Sequence, residues 1–296
     1  SYIADARGYF KDEGVQAEFI RLNGDQFPAL VSGTADMAGT TVAAALFNAL
    51  GRGLDLKMIA DHGANLPNAS AGGFVVRKDL VDSGTYKGPA DAKGLHMAVA
   101  TPPSTADIVL ERYLHQGGLS LKDIDLKVLP FPDMIPAFSN KNLDAAWYQE
   151  PFTTIAVEQG LIVRGPIGYD VYPNQQIAVV LAGPKLATDH DLTLRFLRAY
   201  VRGVRDYVKG MIQKDQAMFD IVVPILINHT SVKDRALFQK AIPSGLRSDP
   251  VPNAQSIQDD YKWFVANGSV TKQFDITPFM DFSPVQQAIK ELGPAS

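Results

Sequence analysis

Phe27-Pro28-Ala29-Leu30, followed by Ala35-Asp36-Met37-Ala38, is echoed by Ile135-Pro136-Ala137-Phe138, followed by Leu143-Asp144-Ala145-Ala146. The proline-to-aspartate interval is the same in both, 28 to 36 and 136 to 144. Upstream, Gly14-Val15 and Gly118-Leu119 each close a helix and open a strand. Proline in the first turn of a helix loses nothing, because an N–H there has no intrahelical partner anyway. Each copy therefore reads as a two-turn helix, an aspartate at the surface and a short buried strand of small residues. Two copies predict two α/β lobes.

The flanking sequence extends this pattern. Tyr2 to Glu13 reads as a helix stopped by Gly14. Val15, Ala17, Phe19 and Leu22 alternate with polar residues, as a strand does. Asp25 is the expected N-cap of the helix from Phe27 to Ser32. A strand from Asp36 to Gly39, a helix from Val42 to Leu50 and a strand from Lys57 to Ala60 follow. Later strands are expected at Phe74 to Val76, Leu95 to Ala100 and Gln176 to Leu181, with helix over Ala106 to Leu114 and mostly helix from Leu186 onward. Helices alternating with short strands predict an α/β fold with mainly parallel sheet. Asp82 to Lys93 and Gly165 to Asn174 are rich in Gly, Pro, Asp and Asn and read as crossings between lobes. The expected division is lobe I at 1–82 and 172–296, and lobe II at 83–171.

Composition narrows the function. A length of 296 residues fits two domains on a prior of about 150 residues each. The absence of cysteine excludes disulfides, thiolate metal sites and a cysteine nucleophile. A net charge of −4 gives no reason to expect nucleic acid or an anionic membrane as partner. No run of 18 apolar residues is present to span a bilayer. Ser1 to Phe10 carries Asp5 and Arg7 and does not read as a secretory leader.

Ligands of open α/β sheets bind beyond the carboxyl ends of the strands. That rule selects Thr40 and Thr41 after the first echo and Trp147, Tyr148 and Glu150 after the second. Ser104 and Thr105 stand at a helix start, where free N–H groups and the helix dipole favour an anion. Asn65 lies in a polar loop, Asp61 to Ser70, expected to line the same crevice. The competing readings are plain N-caps for the Ser and Thr residues, core packing for Trp147, and a turn cap or arginine partner for Glu150. The five histidines are scattered, with no ligand spacing, so no metal is expected. Nucleophile-elbow, P-loop and dinucleotide glycine motifs are missing, and neither catalysis nor a cofactor is expected. Arg195, Arg198, Arg202 and Arg205 recur at helical spacing and read as a solvated face, or else as a docking surface for an acidic partner.

Ala6-Arg7-Gly8-Tyr9-Phe10-Lys11-Asp12-Glu13-Gly14 and the stretch from Phe27 to Asp36 resemble two signatures of ABC-importer solute-binding proteins of the nitrate/sulfonate/taurine and thiamine-precursor (NMT1/THI5-like) group. Gly94, Val99-Ala100, Gly117-Gly118-Leu119, Leu143 to Ala146 and Glu150-Pro151 fall where that group has equivalents. The resemblance implies a two-lobed periplasmic-binding-protein fold, type 2, with a small-molecule ligand held between lobes. It also implies a monomer outside the cytoplasmic membrane that meets a membrane permease. Such proteins usually open with a strand that contacts ligand, whereas this sequence starts inside the following helix, leaving Tyr2 nearest that place. Two helix starts favour an anion, yet no Arg or Lys falls on the expected lip segments. A small organic acid, sulfonate or carboxylate, with an aromatic or amino body is therefore expected. The alternatives are a cofactor-dependent enzyme on the same fold, similar to pyrimidine-precursor synthases, and a ligand-sensing module. A related desulfinase chemistry needs a cysteine.

Overall fold

A computed structural model describes residues 1–20, 26–70, 72–101, 103–230 and 232–295. Among the described residues the strands are β1 (Met37–Thr41), β2 (Lys57–Ala64), β3 (Gly72–Arg77), β4 (His96–Val99), β5 (Asp125–Val128), β6 (Ala145–Gln149), β7 (Ile162–Ile167) and β8 (Gln176–Ala182). They build two sheets, each in its own compact unit. The first unit, Ser1–Ala64, Gln176–Arg235 and Leu246–Ser296, holds the order β1-β8-β2. The second, Asn65–Gln175 and Ala236–Gly245, holds the order β5-β4-β6-β3-β7.

The echo in the sequence is an echo in structure. The helix Phe27–Ser32 ends at Gly33, whose φ is 76° and whose N–H bonds the Leu30 carbonyl at 3.3 Å. The helix Phe131–Ser139 ends the same way: Lys141, in the place of Gly33, has φ 59°, and its N–H bonds the Phe138 carbonyl at 3.1 Å. Asp36 and Asp144 each stand one residue before a five-residue strand, β1 and β6. Each of those strands has an antiparallel neighbour, β8 or β3, that separates it from a further strand, β2 or β7. One detail departs from expectation. Pro28 lies in the first turn, but Pro136 lies inside its helix, where the first-turn proline is Pro132. The second helix begins earlier, so Pro136 costs it one backbone bond.

Other expectations need correction. The sheets are not mainly parallel: both pairings of the first sheet are antiparallel, because β8 inserts between β1 and β2. In the second, β4 runs parallel to β5 and β6 while β3 opposes both its neighbours. The units divide at Ala64/Asn65 and Gln175/Gln176, not at 82/83 and 171/172, and 236–245 joins the second unit. β3 is an interior strand of the second sheet, so residues 72–77 belong there. The Gly- and Pro-rich stretch 82–93 makes turns inside that unit, including the short 3₁₀ turn Pro89–Ala92. Ile162–Ile167 is a strand despite Gly165 and Pro166, because β7 is an edge strand that tolerates a missing N–H. The first helix is two, Tyr2–Ala6 and Tyr9–Asp12, broken where Gly8 takes φ 76°. Residues 15–20 form no strand. Their counterpart β5 pairs in parallel with β4. Leu22, Asp25 and Pro102 lie outside the described residues.

The arginine row is an internal clamp rather than a free face. On the helix His190–Tyr207, Arg198 pairs with Glu13 at 2.6 Å and Glu291 at 2.9 Å, Arg202 with Asp12 at 3.0 Å and Arg205 with Asp249 at 2.8 Å. These pairs fasten the chain's first helices and its last one, Ser283–Leu292, to the long helix. Beneath them Phe10 stacks on Phe196 in the core of the first unit. The second core forms around Tyr148, Phe138, Met134 and Val75.

Candidate functional site

β1 and β2 both oppose β8, so they run parallel and end on the same edge of the first sheet. Thr40 and Thr41 close β1; they do not start the next helix, whose N-cap is Ala43, without a side-chain cap. Thr40 is buried and its hydroxyl accepts from Gln26 Nε2, whereas Thr41 is exposed. β2 runs on to Ala64, so Asp61 and His62 are strand residues and not part of a loop.

Asp61 is fully buried. Its Oδ1 accepts from Gly63 N–H at 2.9 Å and Gln176 Nε2 at 2.6 Å, and its Oδ2 from Arg247 N–H at 3.2 Å and Nη1 at 3.3 Å. Burial raises its pKa, opposed first by the Arg247 charge. His62 falls where the β2–β8 register shifts between Asp61 and Gly63. A bulge of this kind re-aims a side chain. The residue is exposed, its Nδ1 lies 3.2 Å from Tyr200 Oη, and its ring lies against Gly39. Protein atoms crowding the ring lower its pKa to about 4.

In the second unit β4 and β6 are parallel neighbours, and their carboxyl ends carry the other expected residues. Ser104 caps the helix Thr105–His115: its N–H and hydroxyl both donate to Asp107 Oδ2, at 2.8 and 3.2 Å, and its Oγ accepts from Ala106 N–H. Thr105 is buried. Trp147 and Tyr148 point to opposite faces of β6, and both faces are covered. Tyr148 is fully buried, its hydroxyl donating to the Phe131 carbonyl at 2.9 Å. Asn65 is buried too; its Nδ2 donates to Gln175 Oε1 at 3.1 Å and its Oδ1 accepts from Ser70 Oγ at 2.5 Å.

Glu150 is saturated by protein donors. Oε2 accepts from the Thr154 N–H at 3.0 Å and hydroxyl at 2.7 Å; Oε1 accepts from Arg164 Nη1 at 2.5 Å and Ile242 N–H at 3.4 Å. Beside this pair lies a cavity of about 40 Å³, walled by Ser70, Gly72, Tyr148, Thr153, Arg164 and Ile242 among others. It has room for about two or three waters. Thr153 Oγ1 is buried there with no partner among the described residues. Sequence reasoning missed Thr153 and Arg164, and it placed His62 in a crevice-lining loop rather than on β2. Only the doubled Thr153-Thr154 after Glu150-Pro151 hinted at a polar turn.

Residues 1–210 match the family model described as NMT1/THI5 like. The chain belongs to the NMT1/THI5-like family. Solved structures are similar over nearly the whole chain. The periplasmic aliphatic sulphonate binding protein SsuA of Escherichia coli is 21% identical over 93% of this chain and 86% of its own, at a TM-score of 0.73. The alkanesulfonate-binding SsuA of Xanthomonas axonopodis pv. citri, solved with MOPS, is 17% identical over 95% and 93%, at 0.70. The periplasmic nitrate-binding protein NrtA of Synechocystis PCC 6803 is 14% identical over 98% and 85%, at 0.75. This NMT1/THI5-like chain thus has the mixed α/β periplasmic-binding-protein fold. No curated protein matches it in sequence. Among the described residues no helix is long and apolar enough to cross a membrane, and no three His, Cys, Asp or Glu residues gather to hold a metal ion.

Proposed function

We propose that this NMT1/THI5-like protein is the extracytoplasmic solute-binding component of an ABC importer. It acts as a monomer, takes a small organic anion, a sulfonate or carboxylate with an amino or aromatic body, and presents it to a membrane permease. The observation that carries the reading is the placement of accessible or unsatisfied polar groups toward the carboxyl ends of the parallel strands: exposed Thr41 and His62 on the first sheet, and on the second the Thr153 hydroxyl in the turn after β6, buried with no partner among the described residues. That is where open α/β sheets bind ligands. Arg164 lines the cavity beside Thr153, with its charge already paired with Glu150. Thr41 and Thr153 are the proposed direct contacts, and Thr105, buried in the first turn of its helix, stands behind them. Thr40, Asn65, Ser104 and Glu150 act behind them by holding their neighbours, and Trp147 and Tyr148 give the second edge its solid floor. Similarity to proteins named for sulfonate and nitrate binding supports the anion.

The test is ligand identification. Protein purified without refolding is denatured, and the released small molecules are read by mass spectrometry. Melting is then followed with ethanesulfonate, taurine, benzoate and nitrate. At a hundred times Kd a true ligand adds about 2.7 kcal/mol, which is roughly 5–10 °C for a chain of this size. Recovery of the ligand unchanged after incubation accords with binding without turnover. Stabilisation by sugars or peptides alone, or conversion of the ligand, rejects the reading.

A further inference from the structure

Tyr200 carries one hydroxyl proton, and its direction is fixed. Tyr200 Oη lies 2.7 Å from the Asp61 carbonyl, which can only accept. Toward His62 Nδ1, 3.2 Å away, the same oxygen is therefore left as an acceptor. His62 must then carry its proton on Nδ1. A neutral imidazole protonated there has a bare lone pair on Nε2.

Three further features bear on that lone pair. The bulge between Asp61 and Gly63 turns the His62 ring across β8 toward β1. Gly39 leaves the space for it, since a Cβ there would overlap Nε2 and Cδ2. The residue remains exposed, and among the described residues no donor reaches Nε2. A buried histidine packed for stability would have its second nitrogen satisfied or enclosed; this one is oriented by Tyr200 and left open at the carboxyl edge of the first sheet.

We propose that His62 is a ligand-contacting residue whose Nε2 accepts a hydrogen bond, so that the solute carries an N–H or O–H donor in addition to its anionic group. This rests on the solute-binding reading above. It selects amino- or hydroxy-substituted acids over plain alkyl ones. The crowding that lowers the ring's pKa to about 4 keeps it neutral, and so an acceptor, at neutral pH.

Two measurements decide it. The first needs no ligand: ¹⁵N–¹H correlation spectra of the imidazoles, with His62 assigned by its loss in His62→Leu. The expected result is a proton on Nδ1 and an unprotonated Nε2 at pH 7, with that preference lost in Tyr200→Phe. A proton on Nε2 overturns the proposal. The second compares taurine, isethionate and ethanesulfonate, which share one skeleton and differ only in the donor. A neutral hydrogen bond is worth about 0.5–1.5 kcal/mol, so the donor-bearing pair is expected to bind roughly 3- to 10-fold tighter than ethanesulfonate. That ratio is expected to collapse toward one in His62→Leu. Persistence of the ratio in His62→Leu, or its absence in the wild type, overturns the proposal. If none of the three binds, the sulfonate reading above fails instead, and the tautomer spectrum alone decides whether His62 is an acceptor.

Discussion

Arg164 of β7 and Glu150 at the end of β6 form an ion pair across the width of β3, 2.5 Å apart, in a sheet where β3 separates their strands. The guanidinium also reaches Thr154 Oγ1 at 2.6 Å, so one side chain gathers the turn after β6. Replacing Arg164 with Leu strands the Glu150 carboxylate, whose side chain is 14% exposed. A fully buried pair broken this way costs about 3–5 kcal/mol, and the partial exposure of Arg164 brings the expectation to roughly 2–3 kcal/mol. Urea unfolding monitored by circular dichroism checks this. Glu150→Gln, which keeps an acceptor for Thr154, is expected to cost less than Arg164→Leu.

Gly39 faces the His62 ring with no room between them. Its backbone φ is not in the left-handed region, so the requirement is spatial rather than conformational. Gly39→Ala is expected to leave β1 paired with β8 while rotating His62 out of its Tyr200 contact. The measurable result is a change of the His62 ¹⁵N shifts together with a melting temperature within a few degrees of wild type, since a shifted contact of this size is worth about 1–2 kcal/mol. Unperturbed imidazole shifts would contradict the packing.

The echo was legible because its signals are local. A helix stop at Gly33 or Lys141 and an aspartate one residue before a strand lie within a few positions of one another. The unit boundary was not, because it depends on β3 pairing with β6 some seventy residues on. Composition cannot tell a linker from turns inside a unit, which is why 82–93 misled. At the site, Ser104-x-x-Asp107 was readable as a cap, and the cap is what the structure holds. Tyr148 is covered because both faces of an interior strand are, so an aromatic there packs in the core while also walling the cavity. Glu150 finds its partner fourteen residues away, and the bulge that aims His62 leaves no mark in neighbouring residues.

Asp61 ties the segment around Arg247 to β2 and to Gln176 at the start of β8. Truncation to Ala removes a carboxylate serving four donor contacts and takes the counter-charge from the Arg247 guanidinium, 21% exposed, which keeps Gln176 Oε1 at 3.1 Å. The expected cost is about 3–5 kcal/mol, above that of Arg164→Leu because Asp61 is wholly buried. Chemical denaturation of Asp61→Ala beside Arg247→Ala checks it. The double variant is expected to lose less than the two single losses added, since both remove the same interaction.

His62 gives the stability a defined acid dependence. Its folded pKa of about 4 lies below the 6.5 of an unperturbed histidine, chiefly because protein crowds the ring. The ring lies against Tyr200 Oη and Gly39, neither of which brings a negative charge to it. Between these two pKa values the unfolded chain binds a proton that the folded chain refuses. Stability therefore falls as the pH drops from about 6.5 toward 4 and levels off below, as far as this group is concerned. Asp61 contributes with the opposite sign: burial raises its pKa, so its ionisation weighs against the folded state as pH rises above the unfolded value of 3.8. Subtracting the stability curve of His62→Leu from that of wild type isolates the histidine. The difference is expected to slope across pH 4 to 6.5 and to be flat from pH 7 to 8, and a difference curve flat throughout would mean that the ring is as free to protonate in the folded protein as in the unfolded chain.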